Sequence, residues 1–250
     1  MQAITSTLVA GRMICSPANG HNDVIEHIGF DDLVARVVAH AEQPGTSIVG
    51  IAGPPGAGKT TLAEAVVAAT TARLGAAVVA HVPMDGFHLA DAELGRLGRL
   101  SRKGAPDTFD AAGYSALLRR IRSPRGDVVY APAFERELEQ PIAGAIGVAP
   151  AARVVITEGN YLLLDAPQWR AVAAEIDEIW YCTVDDAARV RRLIDRHIRF
   201  GKSVEAARRW VQEVDEPNAR LIAATASRAA GMVRTDRVPP ATNWSGEVSR

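Results

Sequence analysis

Lysine is nearly missing from this chain of 250 residues: 28 side chains are basic, and only Lys59, Lys103 and Lys202 among them are lysines. Arginine serves almost wherever a positive charge is needed, so each lysine is informative. Cysteine is as scarce, with only Cys15 and Cys182. Two are too few for a disulfide framework, and no histidine stands near them at zinc-ligand spacing. Surplus charge is missing too. A formal net charge of −1 and a pI near 6.6 exclude the strongly basic footprint of a nucleic-acid-binding domain. No apolar run approaches the roughly 20 residues of a membrane span. The opening residues, MQAITSTLVAGRMICSPANGHND, lack the basic start and continuous apolar stretch of a secretory signal. These absences leave a cytoplasmic protein with a small-molecule partner, no nucleic acid and no membrane as the expectation.

What is present is an ordinary globular composition, 48% hydrophobic and 23% charged, enough for a large core. No usable period appears up to about Val24, so residues 1–24 are expected to form an irregular arm. Leu33, Val34, Val37, Val38 and Ala41 recur at helical spacing within 31–43 and predict an amphipathic helix that ends before Pro44-Gly45. The apolar runs SIVGIAG, AAVVAHV at 76–82, ARVVITEG at 152–159 and EIWYCTV at 178–184 alternate with helical patterns, as buried parallel strands with crossover helices do. Helices are expected at 59–74, 110–122, 186–200 and 204–214. Residues 127–148 read as an antiparallel insertion. The polar, Pro-Pro-containing stretch 235–250 reads as a mobile tail, which leaves 25–234 as one three-layer α/β domain with a mainly parallel sheet.

One motif dominates the chemistry. Gly53, Pro54, Pro55, Gly56, Ala57, Gly58, Lys59 and Thr60 match G-x-x-x-x-G-K-[ST] in full, between a predicted strand and a predicted helix, and Thr61 continues into that helix. Glycines let successive backbone N–H groups turn toward a phosphate, and the helix N-terminus adds positive potential. Lys59 is expected to reach the β- and γ-phosphates of ATP, and Thr60 to offer its hydroxyl to Mg²⁺.

The loop alone does not identify the reaction. None of the three lysines lies in a guanine-reading N-K-x-D, and no L-S-G-G-Q transporter signature occurs. Two carboxylates are expected at the ends of predicted strands, Asp85 at the end of the second in HVPMDGFHL and Glu158 at the end of a later one in VVITEGNYLL. That edge of a parallel sheet surrounds the ligand. One carboxylate can therefore accept a proton from a hydroxyl while the other holds Mg²⁺, in part through water. A plain turn role is the bland reading of an aspartate before glycine.

The motifs GIAGPPGAGKTTLA, MDGFHL, KGAPDTFD, PAFERELEQPIAGAI, EGNYLLLD, RLIDRHIRFGKS and DEPNARLI follow one another between about Ile48 and Met232. In this order the chain resembles the phosphoribulokinase, uridine kinase and type I pantothenate kinase superfamily, and in particular its bacterial nucleoside/nucleotide kinase-like, or fructose transport system kinase-like, branch. The resemblance implies a P-loop NTPase fold and a cytoplasmic, ATP- and Mg²⁺-dependent kinase. Asp85 would stand beside the acceptor hydroxyl and Glu158 at the metal. PDTFD is similar to the P-D-A-F-D of uridine kinases and implies that Asp107 lies in the substrate pocket, whereas Asp110 reads better as a helix cap. The arginine-rich helix 186–203 looks like the lid of these kinases. Arg192 and Arg196, four apart on one face, would stabilise the transferring phosphoryl group; a solvated basic face is the competing reading.

The chain departs from uridine kinases at the insertion, where Phe134, Glu135, Arg136 and Glu137 replace the aromatic and histidine pair that reads the pyrimidine. Arg136 suggests an acceptor with a carboxylate, a phosphate or several hydroxyls, or else a pairing with a glutamate. His88 reads as packed. The expectation is a kinase acting on a hydroxyl of a sugar, a pantothenate-like compound or a nucleoside. An ATP-binding regulatory module and a nucleoside monophosphate kinase are the alternatives, and a homodimer is compatible with the sequence.

Overall fold

The computed structural model describes residues 26–124 and 126–238. The arm expected at 1–24 and the tail beyond 238 lie outside them. Five parallel strands form the central sheet in the order β2-β5-β1-β6-β7: β1 Ser47–Ala52, β2 Val79–His81, β5 Val154–Gly159, β6 Glu178–Thr183 and β7 Gly231–Arg234. β1 and β5 are buried along their whole length, which explains why they read as continuous apolar runs rather than alternating ones.

Helices cover both faces of this sheet. Helix α1, Phe30–Glu42, and helix α2, Lys59–Leu74, share one core with Val49, Ile51, Val154, Ile156 and Trp180. Helix α4, Ala111–Arg122, and helix α5, Pro167–Ala173, close the other face around Tyr114, Leu118, Trp169 and Val172. Between β2 and α4 stands the short helix α3, Asp91–Arg96. Asp110 caps α4, its carboxylate accepting from the Gly113 N–H at 2.8 Å, as expected of an aspartate at that position. The insertion is a hairpin, β3 Val129–Glu135 with β4 Gln140–Val148, antiparallel and bulged between Ala131 and Ala133.

Helix α6, Asp186–Arg199, is followed by helix α7, Val204–Trp210, a π-helical stretch Val211–Asp215 and helix α8, Glu216–Ala223. The π-turn precedes Pro217, whose missing N–H removes a helical donor. Two differences from the sequence reading stand out. β7 is a fifth strand, too short to be read from its four residues alone. Residues 235–238, assigned to the tail, include a 3₁₀ turn at Thr235–Arg237 whose Thr235 hydroxyl donates to the Ala57 carbonyl at 2.7 Å. Among the described residues no helix is long and apolar enough to cross a membrane.

Candidate active site

The phosphate loop bridges the end of β1 and the first turn of α2. Its Ala57 N–H bonds back to the Pro54 carbonyl at 3.1 Å. Gly56 and Gly58 sit at φ 76° and 90°, a region that side chains disfavour. A Cβ on Gly56 would lie 2.7 Å from Leu193 Cγ and 2.9 Å from the Arg189 carbonyl, so α6 rests directly on the loop and leaves no room for a side chain. Lys59 is buried at the start of α2, where its ammonium donates to Asn160 Oδ1 at 2.6 Å and to the Pro54 carbonyl at 3.2 Å. Burial lowers its pKa, although Glu158, Cys182 and Asp85 oppose that shift.

The β1–β5 register sets Glu158 opposite Ile51, one strand away from the loop. Thr60 Oγ1 donates to Glu158 Oε1 at 2.9 Å. Burial and the nearby Asp85 carboxylate push Glu158 up to about 7. Two oxygen donors at this separation suit a magnesium ion, which prefers few protein ligands and completes its shell with substrate phosphate and water. Among the described residues no group of three His, Cys, Asp or Glu side chains able to hold a metal occurs. The residues present thus fit Mg²⁺ and a phosphate chain.

Asp85 does not end β2; that strand stops at His81, and Asp85 lies on the 3₁₀ turn Met84–Phe87 that follows. His88 closes the turn, its N–H at 3.2 Å and its Nδ1 at 2.8 Å from the Asp85 carbonyl. A Cβ on Gly86 would overlap the Pro132 carbonyl, so the β3 strand lies against this turn. The contact delivers Arg136, at the hairpin tip, to Asp85: Nη2 donates to Oδ2 at 2.6 Å. Arg136 therefore pairs with the aspartate rather than with a glutamate. Burial alone would raise the Asp85 pKa, but His88, Arg136, Lys59 and Arg196 together hold it below the usual carboxylate value.

Lys59, Thr60, Asp85, Arg136, Glu158 and Arg196 line one cavity of about 440 Å³, and the loop also contributes Pro55 and Gly56 to its wall. Arg196 makes no ion pair with a described residue, and burial lowers its pKa. Two side chains expected at the acceptor or the transferring group are not brought in. Asp107 lies on the 3₁₀ turn Pro106–Thr108 and faces Arg102, at 2.8 and 2.5 Å, and Arg99, at 3.3 Å, while Phe109 lines the cavity in its place. Arg192 is exposed and is not a lining residue. Its neighbour Arg189 is consumed by Asp186 at 3.0 Å and Glu216 at 2.6 Å.

Sequence reasoning missed part of the wall. His88, set aside as packed, lies tilted against Phe109 and Phe134 with centroids 4.0 and 4.7 Å away, yet also faces the cavity. Asn160, Lys103 and Lys202 line it as well, so all three lysines meet here. The scarcity of lysine was the available signal for the last two.

No family model matches the chain. A Schizosaccharomyces pombe protein named "Putative uridine kinase" is 34% identical over 176 residues, spanning 69% of this chain and 75% of that protein. An Escherichia coli protein named "Uncharacterized protein YggC" is 32% identical over 189 residues, 75% of this chain and 76% of its own length. Among solved structures, a Silicibacter protein described as a "putative fructose transport system kinase" is 38% identical, superposes with a TM-score of 0.73 and is covered over 98% of its length, against 83% of this chain. With these relatives, this ordered motif set and this fold, the chain belongs to the phosphoribulokinase, uridine kinase and type I pantothenate kinase superfamily of P-loop kinases.

Proposed function

We propose that the chain is an ATP-dependent kinase that transfers the γ-phosphoryl group to a hydroxyl of a small metabolite. The observation that carries this reading is the Asp85 carboxylate, held ionised and oriented by Arg136 at 2.6 Å in the cavity that Lys59 and Thr60 enter from the phosphate loop. A nucleoside monophosphate kinase needs no such base, because a phosphate oxygen is already nucleophilic.

In the reaction the acceptor oxygen bonds to the γ-phosphorus, the bond to the β-bridging oxygen breaks, and the acceptor proton passes to Asp85. Lys59 and Arg196 hold the negative charge that spreads over the transferring group. Thr60 and Glu158 are the side chains that would bind magnesium, which when present neutralises phosphate charge. Aromatic side chains such as Phe109 and Phe134 keep water from competing with the acceptor. Catalysis is then mostly positioning and electrostatics.

The acceptor is a sugar, a pantothenate-like compound or a nucleoside; the names of the fission-yeast and Silicibacter relatives support the last and the first of these. The test is ADP release by the purified protein with Mg·ATP across sugars, polyols, pantothenate and nucleosides, with Lys59→Ala as the blank. A Lys59-dependent signal with one acceptor class is expected. Silence across the panel with ATP still bound defeats the kinase reading in favour of a nucleotide-binding regulatory module.

A further inference from the structure

The cavity extends well past the phosphate loop. α6 touches the loop through Leu193 and Arg189, and its C-terminal end lies roughly 10 Å further along the axis at 1.5 Å per residue. The helix closes there in a Schellman motif: the Gly201 N–H bonds to the Ile198 carbonyl and the Lys202 N–H to the His197 carbonyl, both at 3.0 Å, with Gly201 at φ 94°. This cap fixes where Lys202 leaves the backbone. Its ammonium lies 4.4 Å from the centroid of the Trp210 ring, a platform that orients a cation without neutralising it.

Two other cationic or titratable groups of the cavity wall are paired. His197 Nε2 pairs with Asp215 Oδ2 at 2.8 Å, and Lys103 with Asp91 Oδ1 at 2.6 Å. Among the described residues no carboxylate pairs with Lys202. Asn218, only 9% exposed, lines the same cavity, and its side-chain amide makes no hydrogen bond to a described residue. A preorganised cation without a counter-charge and an amide free to donate, both lining one cavity, suit a ligand bearing an oxyanion. In a chain that otherwise uses arginine, the lysine supplies a point charge rather than a bidentate fork.

We infer that Lys202 and Asn218 form a subsite for an anionic group, carboxylate or phosphate, on the acceptor. Under the kinase reading above, the acceptor is an anionic hydroxy compound whose hydroxyl lies at Asp85 and whose charge lies at Lys202. Neutral sugars and nucleosides leave the subsite unfilled.

Calorimetric binding with a non-hydrolysable Mg·ATP analogue present tests this with matched probes: glycerate against glycerol, pantothenate against pantothenol, fructose 6-phosphate against fructose. At least one anionic member is expected to bind about tenfold or more tightly than its neutral partner, and the pair that discriminates says whether a carboxylate or a phosphate is read. Lys202→Gln is expected to weaken that member about ten- to a hundredfold, as loss of a charge-assisted contact does. It should leave the neutral partner and the ATP analogue unchanged, and Lys202→Arg should restore most of the affinity. No discrimination in any pair, equal weakening of both members, or weakened binding of the ATP analogue overturns the subsite. Turnover without charge discrimination sinks the subsite and keeps the kinase; Lys202-dependent binding without turnover does the reverse.

Discussion

Asp85 and Arg136 lie 51 residues apart and form a 2.6 Å ion pair inside the cavity, one on the turn after β2 and the other at the tip of the β3–β4 hairpin. The pair has two consequences. It helps to hold the carboxylate ionised, and it ties the Asp85 end of the cavity to an inserted hairpin rather than to the central sheet.

Removing the charge at Asp85 should therefore separate binding from turnover. Asp85→Asn is expected to bind ATP with near-normal affinity while kcat falls by about 10²–10⁴, the usual contribution of a positioned base. Near-normal turnover in this variant would dismiss Asp85 as the base.

Arg136→Met should move the pH profile as well as lower the rate. Arg136 is one of the cations that lower the Asp85 pKa; without it the carboxylate protonates at higher pH. The acid limb of kcat/KM, active above the Asp85 pKa and lost below it, is then expected to shift upward. A lower rate with an unmoved acid limb would assign Arg136 to the acceptor instead.

Gly56→Ala probes the packing of α6 on the phosphate loop. Its Cβ meets Leu193 Cγ at 2.7 Å and the Arg189 carbonyl at 2.9 Å, at a φ of 76°. Overpacking of this kind costs about 1–3 kcal/mol, and relief requires the loop or the helix to shift. Thermal unfolding is expected to show a lowered Tm and a much smaller stabilisation by Mg·ATP than in the wild type. An unchanged response to the nucleotide would mean that α6 moves away freely.

Four strands were legible as compact apolar runs: β1 and β5 are apolar from end to end because both faces are covered, and β2 and β6 lie within apolar runs although part of each is only half-buried. The loop and the α4 cap were legible because each depends on local backbone chemistry. Four-residue β7 was not, since its strand character comes from pairing with β6 and an isolated bridge from Met232 to His27, neither of which leaves a periodic trace. Site residues divide the same way. Lys59, Thr60, Asp85 and Glu158 follow from a motif or a predicted strand, and the resemblance supplied Arg196. It also supplied Asp107, which turned outward because Arg99 and Arg102 offer it partners. The wall made by Lys202, Trp210 and Asn218 arises only when α6, α7 and α8 pack together, and only the rarity of lysine hinted at it.

His81 ends β2 with its Nε2 buried and without a hydrogen-bond partner among the described residues. Burial lowers its pKa from 6.5 to about 4. The unfolded chain therefore takes up a proton at His81 below pH 6.5 while the folded chain resists until about pH 4. Stability from the neutral imidazole is complete above pH 6.5 and is lost as pH falls through that window, by about 3 kcal/mol in total at 1.36 kcal/mol per unit. His81→Leu removes the titration and keeps a side chain of similar bulk at that position. Urea unfolding at a series of pH values is expected to give a flatter acid-side decline for the variant than for the wild type between pH 6.5 and 4. Parallel declines would show that His81 reaches water in the folded chain and that carboxylates alone set the acid limit.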